Sequence, residues 1–316
     1  MRAILARLSG RWTDVRASKT TVSPRGDSSG AQQLMRDATR DTLGPVRHLG
    51  PDLARTLIDA VNRRTMEDAR SVAQYARNDG LSPAEAVALG HVAEEARGRP
   101  ILDIGVGGGR TVRDLRAVSD DYVGLDYSRP MIDVVEQRFP GVRFVHGDAR
   151  DMRFLPSASI FLAVFSCNGI GMVTHDDRLS ILREVRRVLT PGGAFLFSTH
   201  NQNCPDHTAG YTFPEFEWSR NPAKLALRSL RFARRSVKRA VNRYRFARHD
   251  YRSDEYSIIN DRCHDYGTML YYISLAAQRR QLEAHGFQPG ARAFDLDGRE
   301  IDGDSDHSSL TLLARV

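Results

Sequence analysis

The chain has 316 residues, 41% of them hydrophobic, and a formal charge of +7. That apolar content supports a real core and excludes wholesale disorder. No apolar run approaches the roughly 20 residues that cross a bilayer, and three cysteines (Cys167, Cys204, Cys263) are too few and scattered for a disulfide framework. Residues 1–30 are polar and broken by Ser23-Pro24, Arg25-Gly26 and Ser28-Ser29-Gly30, which reads as a flexible basic tail. Its apolar patch, Ala3-Ile4-Leu5, is shorter than the roughly 7–15 residues of a secretory h-region, so a cytoplasmic location is expected.

An N-terminal helical cap is expected over 31–98. In 52–64 the spacing puts Leu53, Leu57, Ala60 and Val61 on one face, and 66–78 continues the pattern until Asp79-Gly80. Ser82, Pro83 and Glu85 form a capping-box start for a helix running to about 97, where Gly98 stops it. From Pro100 short apolar runs alternate with amphipathic segments. Strands are expected at 101–104, 122–125, 142–145, 160–165 and 194–198. Helices are expected at 110–118, from Ser128 through Met131, Val134 and Val135, and at 176–189, where the turn Thr190-Pro191-Gly192-Gly193 follows. This rhythm implies βαβ units and a parallel sheet with helices on both faces, in the α/β class. The core is assigned to 99–200. Residues 201–273 break the rhythm and read as an insertion. The core resumes over 274–316, with a helix at 274–284 and two closing strands near 287–294 and 309–315, expected as an antiparallel hairpin.

The chemistry sits in Ile101-Leu102-Asp103-Ile104-Gly105-Val106-Gly107-Gly108-Gly109-Arg110. Glycines suit a sharp strand-to-helix turn and close approach of a ligand to the main chain, and the following helix start offers free amides. About twenty residues on, Asp126 ends the second strand, where a carboxylate can accept ribose hydroxyls. Asp148 follows the third strand in His146-Gly147-Asp148-Ala149-Arg150. Three acidic points at successive strand ends line one crevice at the switch point of an open sheet. A nicotinamide site favours G-x-G-x-x-G, whereas the spacing here is Gly105-x-Gly107-x-Gly109 with an acid two residues before.

That set closely resembles the class I S-adenosylmethionine-dependent methyltransferases. The resemblance covers about 66–200, with support from Leu189-Thr190-Pro191-Gly192-Gly193, Leu282 and Gly286-Phe287. It implies a Rossmann-like mixed sheet of about seven strands, with S-adenosyl-L-methionine as cofactor. By resemblance Asp103, Gly105, Gly107, Gly109 and Arg110 sit at the methionine end. Asp126, with Tyr127 and Met131 beyond it, holds the ribose, and Asp148, Ala149 and Arg150 the adenine. Ser166, Cys167 and Asn168 border the sulfonium, and Tyr75 belongs to the cap that closes over the cofactor. No metal ligands are expected: adjacent Cys263-His264 diverge and lie far from Cys204 and His207. The acidic stretch 295–306 lacks the glycine and glutamate spacing of a calcium loop.

Methyl transfer to an oxygen or nitrogen nucleophile can use a base of near-neutral pKa. His200 at the end of the fifth strand is the leading candidate, with His175 behind it; Asn201 and Asn168 are candidates for orienting substrate. Between Arg220 and His249 there are eleven Lys and Arg and no acid, which leaves the rest of the chain at −4. Ala226, Leu230, Ala233, Val237, Val241 and Tyr244 fall at helical spacing, giving one basic amphipathic helix. It reads as a lid packing its apolar stripe on the domain, as a peripheral contact with an anionic membrane, or as a nucleic-acid contact; sparse aromatics place the last behind. The expected substrate is a small molecule, glycan or lipid precursor. The alternatives are RNA or protein methylation, or cofactor binding without turnover.

Overall fold

The computed structural model describes residues 51–208 and 210–316. The expected tail at 1–30 and the first part of the cap lie outside the described residues. The cap helices are α1 (Pro51–Met66), α2 (Ala69–Tyr75), α3 (Pro83–Gly90) and α4 (Ala93–Ala96). Strands β1 (Ile101–Ile104), β2 (Tyr122–Asp126), β3 (Arg143–His146), β4 (Ile160–Phe165) and β5 (Leu189–Asn201) alternate with α5 (Val112–Val118), α6 (Arg129–Arg138) and α7 (His175–Val188). After the insertion come α9 (Leu275–Ala284), β9 (Arg292–Phe294), β10 (Glu300–Ile301) and β11 (Ser309–Arg315).

The sheet runs β10-β9-β11-β5-β4-β1-β2-β3, with β1 to β5 parallel and β11 antiparallel to both β5 and β9. Alternation along β1 sorts the core. Leu102 and Ile104 pack with α7 and α9 residues such as Ile181, Val185 and Leu282. Ile101 faces the other way, with Ala88, Leu115, Ile132 and Val135 of α3, α5 and α6. Because β2 and β4 flank β1, the crevice at the carboxyl ends of β1 and β4 is the switch point of the sheet.

Several expected boundaries shift for local reasons. The segment 66–78 is interrupted where the Asp68 carboxylate caps α2 by accepting the Arg70 amide. The capping box on Ser82 and Glu85 is present, but the helix it starts ends at Gly90 rather than near 97. The helix expected from 110 begins at Val112, with Thr111 as its N-cap residue. Thr190-Pro191-Gly192-Gly193 is a bulge inside β5: pairing with β4 moves from Ile160↔Leu189 to Leu162↔Ala194. On α1 it is Ile58 and Val61 that bury, while Ala60 is exposed.

The insertion adds three strands beyond the expected seven, and β10 a fourth. It carries α8 (Pro222–Phe246), β6 (Tyr251–Arg252), β7 (Tyr256–Asp261) and β8 (Thr268–Ile273). Strand β8 joins the main sheet by pairing parallel to the end of β5, His200↔Tyr272 and Asn201↔Ile273. Helix α8 is turned opposite to the lid expectation. Its apolar stripe faces solvent, with Leu230 at 57%, Val237 at 63% and Tyr244 at 86% exposure. Arg239 is instead the residue it buries. The reason is electrostatic: Arg235 and Arg239 meet Asp265 at 2.6 and 3.5 Å, and Arg243 meets Asp250 at 3.3 Å.

Arg178 on α7 is fully buried, and every partner is neutral. It donates to Gln281 Oε1 (3.0 Å), the Ile170 carbonyl (3.0 Å), Thr199 Oγ1 (3.2 Å) and Gln278 Oε1. Burial without a counter-charge pushes its pKa down to about 10. Arg178→Met keeps much of the volume but strands four acceptors. The expected loss is about 3 kcal/mol, read from the urea midpoint; a loss below about 1 kcal/mol contradicts this bracing role.

Candidate active site

The site is built from the loop after β1. Gly105 leaves the strand at φ +65°, and a Cβ there would sit 2.8 Å from the Phe165 ring at the end of β4. The Gly107 amide donates to Asp126 Oδ2 and the Ser128 amide to Asp126 Oδ1, each at 2.8 Å. Asp126 thus fixes the loop and its own strand end in one frame. Burial pushes the Asp126 carboxyl up to about 6 against the pull of these amides. Ser128 also lines the cleft, and its buried Oγ has no hydrogen-bond partner among the described residues.

The cleft encloses about 1140 Å³ of space, its open mouth included, between this loop, the ends of β2 to β4 and the cap. Tyr75, Gly105, Gly107 and Arg110 line it, as do Asp126, Tyr127 and Met131. So do Asp148, Ala149 and Arg150 after β3, and Ser166 and Cys167 after β4. Twelve of the fifteen residues expected to hold the cofactor therefore meet in one cavity. The other three stand behind it. Asp103 is fully buried, accepting from Thr111 Oγ1 (2.5 Å) and Tyr122 Oη (2.8 Å), so it braces the loop from beneath. Gly109 faces α6, where a Cβ would meet Phe139 and Val135. Asn168, left-handed at φ 56°, is tied to Ser198 and Ser309.

Four contributors to the site carried no signal of that role in the sequence. Glu85, legible as a capping-box residue, receives both Arg110 guanidinium nitrogens at 2.8 Å and the Cys167 amide at 3.4 Å. Burial works to raise its carboxyl, but Arg110 outweighs burial and holds it below the usual glutamate value. Asp59 and Asn62 bring α1 onto the cleft. Asn62 also bonds Met172 O (2.7 Å) and both backbone groups of Met269 on β8. Gly108 lets α2 in, since a Cβ there would lie 2.5 Å from the Tyr75 carbonyl oxygen. At the far end Arg150 clasps Asp148 and reaches Asp59 and Asp177, at 3.0 and 3.1 Å. Burial favours a higher Asp148 pKa, yet the Arg150 bonds prevail and hold it low.

The residues expected to do catalysis are not on this cavity. His200 is flanked in the sheet by Tyr272 and Ser309, stacks on Tyr272 at 4.9 Å, and burial lowers its pKa to about 4. It is neutral and weakly basic at pH 7. The Asn201 amide is consumed by Ser305 O, His307 O and the Asn203 amide. His175 begins α7, stacked on Tyr256 at 4.2 Å with Nδ1 2.9 Å from Tyr271 Oη. Strand β8, which a sequence rhythm does not disclose, is what encloses the end of β5.

Residues 101–193 match the family model described as a methyltransferase domain. This segment is a methyltransferase domain, similar to that of relatives described as S-adenosylmethionine-dependent. A protein of Mycolicibacterium smegmatis described as a probable S-adenosylmethionine-dependent methyltransferase is 33% identical over 112 residues, 35% of this chain and 42% of the relative. A fatty-acid O-methyltransferase from the same organism is 32% identical over 155 residues, 47% of this chain and 52% of the relative. The chain thus spans about half the length, or less, of these curated relatives. The solved CcbJ methyltransferase of Streptomyces caelestis shares the fold at a TM-score of 0.51 and 19% identity, over 77% of this chain and 94% of that one. S-adenosylmethionine is the methyltransferase domain's cofactor. The residues present fit such a group: a buried, unpartnered hydroxyl at Ser128 and the Asp126 carboxylate both line the cleft and can pair with a polar ligand.

Gly108→Ala tests the seating of the cap. The added methyl must displace the α2 backbone, so adenosylhomocysteine affinity should fall at least tenfold by calorimetry. Unchanged affinity would mean that α2 does not contribute to the donor site.

Proposed function

We propose that the chain transfers the methyl group of S-adenosylmethionine to an oxygen or nitrogen nucleophile of a small, largely apolar acceptor. The observation that carries this reading is the wall of the cleft beside Asp126 and the glycine loop. Met66 and Tyr75 from the cap, with Phe165 at the end of β4 and Met172 and Val173 beyond it, make it largely apolar. Such a wall suits a compact acceptor better than a polymer backbone. Two relatives by name support an apolar acceptor, one a fatty-acid O-methyltransferase and the other a demethylmenaquinone methyltransferase; the first also supports an oxygen nucleophile.

In this reading Asp126 and the Gly107 loop bind the donor, and Asp148 with Arg150 closes the adenine end. Tyr75 and the cap exclude water. When bound, the cofactor would supply an electrophilic methyl group and leave as S-adenosylhomocysteine, and the acceptor's proton would pass to solvent. Holding the partners in line contributes most of the acceleration, and no protein nucleophile is required. RNA or protein methylation rested on the Arg-rich insertion. Arg235, Arg239 and Arg243 are engaged with Asp265 and Asp250, which leaves that reading less to draw on.

The functional test is transfer from methyl-labelled S-adenosylmethionine to long-chain carboxylic acids, quinols, phenols and amines, beside RNA and protein controls. Labelling of one small-molecule class is expected. Labelling of RNA or protein alone, or tight adenosylhomocysteine binding with no acceptor labelled, overturns the proposal. A second prediction concerns pH. Ribose hydroxyls donate to a carboxylate better than to a carboxylic acid, and Asp126 titrates near 6 in the unliganded site. Adenosylhomocysteine should therefore bind about tenfold more tightly at pH 7 than at pH 5. Asp126→Asn should bind more weakly and lose this rise; a rise that persists in the variant refutes the assignment of Asp126.

A further inference from the structure

Helix α8 presents two adjoining surfaces to solvent. At about 100° per residue, Ala226, Leu230, Ala233, Val237, Val241 and Tyr244 fall within an arc of about 80°. Leu230, Val237, Val241 and Tyr244 are 57%, 63%, 41% and 86% exposed. The next arc of about 80° carries Lys224, Arg231, Arg234, Lys238 and Arg245. All five are exposed, and none makes an ion pair among the described residues. The opposite side of the helix is fixed to the domain. Arg235, Arg239 and Arg243 are paired with Asp265 and Asp250, Phe232 packs on Phe216 at 5.3 Å, and Arg239 lies 4.9 Å over the Tyr266 ring. The outward face is therefore held outward. Just upstream, Trp218 and Phe213 are 79% and 62% exposed.

We propose that α8 seats the protein on an anionic lipid surface, apolar stripe toward the acyl chains and cationic row among the headgroups, so that an amphiphilic acceptor reaches the donor cleft from the bilayer. The acceptor half of this statement rests on the methyl-transfer reading above; the surface half does not. Charge complementarity selects the occupant. A second copy would set this cationic row against another with no acid on the helix to offset it. Residues 1–50 carry nine Lys and Arg against four Asp, so they too are net positive. An RNA contact would engage the cations but leave the apolar stripe unexplained, whereas a bilayer interface engages both. Exposed Trp218 suits the headgroup boundary.

The helix is also connected to the cleft. Asp265 accepts from Arg235 and Arg239, and its carbonyl from Asn242 at 2.9 Å. Its neighbour His264 has Nε2 3.5 Å from the hydroxyl of Tyr75, which lines the donor site. His264, Asp265 and Tyr266 hold φ of 49°, 58° and 59°, three successive left-handed non-glycine residues, a costly turn fixed between α8 and the cap. This turn thus stands between α8 and Tyr75.

The test is co-sedimentation of the full chain with phosphatidylglycerol/phosphatidylcholine vesicles and with pure phosphatidylcholine vesicles, at low and high salt. Binding to the anionic vesicles is expected, at least tenfold stronger than to the neutral ones and weakened by salt. Leu230→Glu with Val237→Glu should abolish it. Replacing Lys224, Arg231, Arg234, Lys238 and Arg245 with Gln should reduce it at least tenfold, with the thermal midpoint and adenosylhomocysteine binding unchanged in both variants. No sedimentation of the wild type, equal binding to neutral vesicles, or binding insensitive to either variant overturns the proposal. A dimer that Leu230→Glu/Val237→Glu dissociates, without vesicle binding, assigns the stripe to a second copy instead. Vesicle binding in a chain that fails to bind adenosylhomocysteine refutes the methyl-donor reading and leaves the surface assignment standing.

Discussion

Glu85 and Arg110 meet in a two-pronged ion pair, both bonds 2.8 Å, with side chains 5% and 16% exposed. On one side the carboxylate also accepts the Ser82 amide at the start of α3, and on the other the Cys167 amide after β4. The guanidinium also donates to the Gly80 carbonyl at 2.7 Å. Cap, glycine loop and the β4 loop are thereby joined through one pair of side chains. Water is largely excluded, so the pair persists only because its remaining hydrogen-bonding capacity is met by neighbouring backbone; removing one partner would leave a buried charge, typically a loss of about 3–5 kcal/mol.

From that pair the rest of the cleft follows outward. The loop it anchors is framed from beneath by Asp103 and in front by Asp126. The cap it anchors is carried close by Gly108 and tied to the insertion through Asn62. The insertion encloses the end of β5 and turns α8 so that its stripe faces away from the domain. A single continuous set of contacts therefore runs from the cofactor loop to the outer helix, although α8 contributes no lining to the cleft itself.

The parts legible in the sequence are those governed by local rules. A βα rhythm with an acid before Gly105-x-Gly107-x-Gly109, and acids at the next two strand ends, specifies where the cleft lies because backbone geometry leaves few alternatives. The parts that were not legible depend on partners distant in the chain. Helical spacing identified the stripe from Ala226 to Tyr244 but could not say which side would pack; Asp250 and Asp265, beyond the end of the helix, decide it by drawing arginines inward. Position at a strand end made His200 and Asn201 attractive as chemistry-bearing residues. Pairing with Tyr272 and Ile273 of β8 turns them into interior sheet residues. Glu85 was visible as a cap, and its second function needed Arg110, twenty-five residues later in the chain, to be brought beside it.

In the proposed methyl-transfer reading, the glycine loop, Asp126 and the α2 cap form one donor site. Hydrogen–deuterium exchange with and without adenosylhomocysteine tests it most directly, because exchange reports the backbone amides of each segment separately. Bound ligand should slow exchange in 105–111, 126–131 and 147–150 and also in 69–76, while 222–246 is unchanged. Protection of the loop with none in 69–76 would contradict the role of the cap, and protection confined to 222–246 would contradict the site altogether.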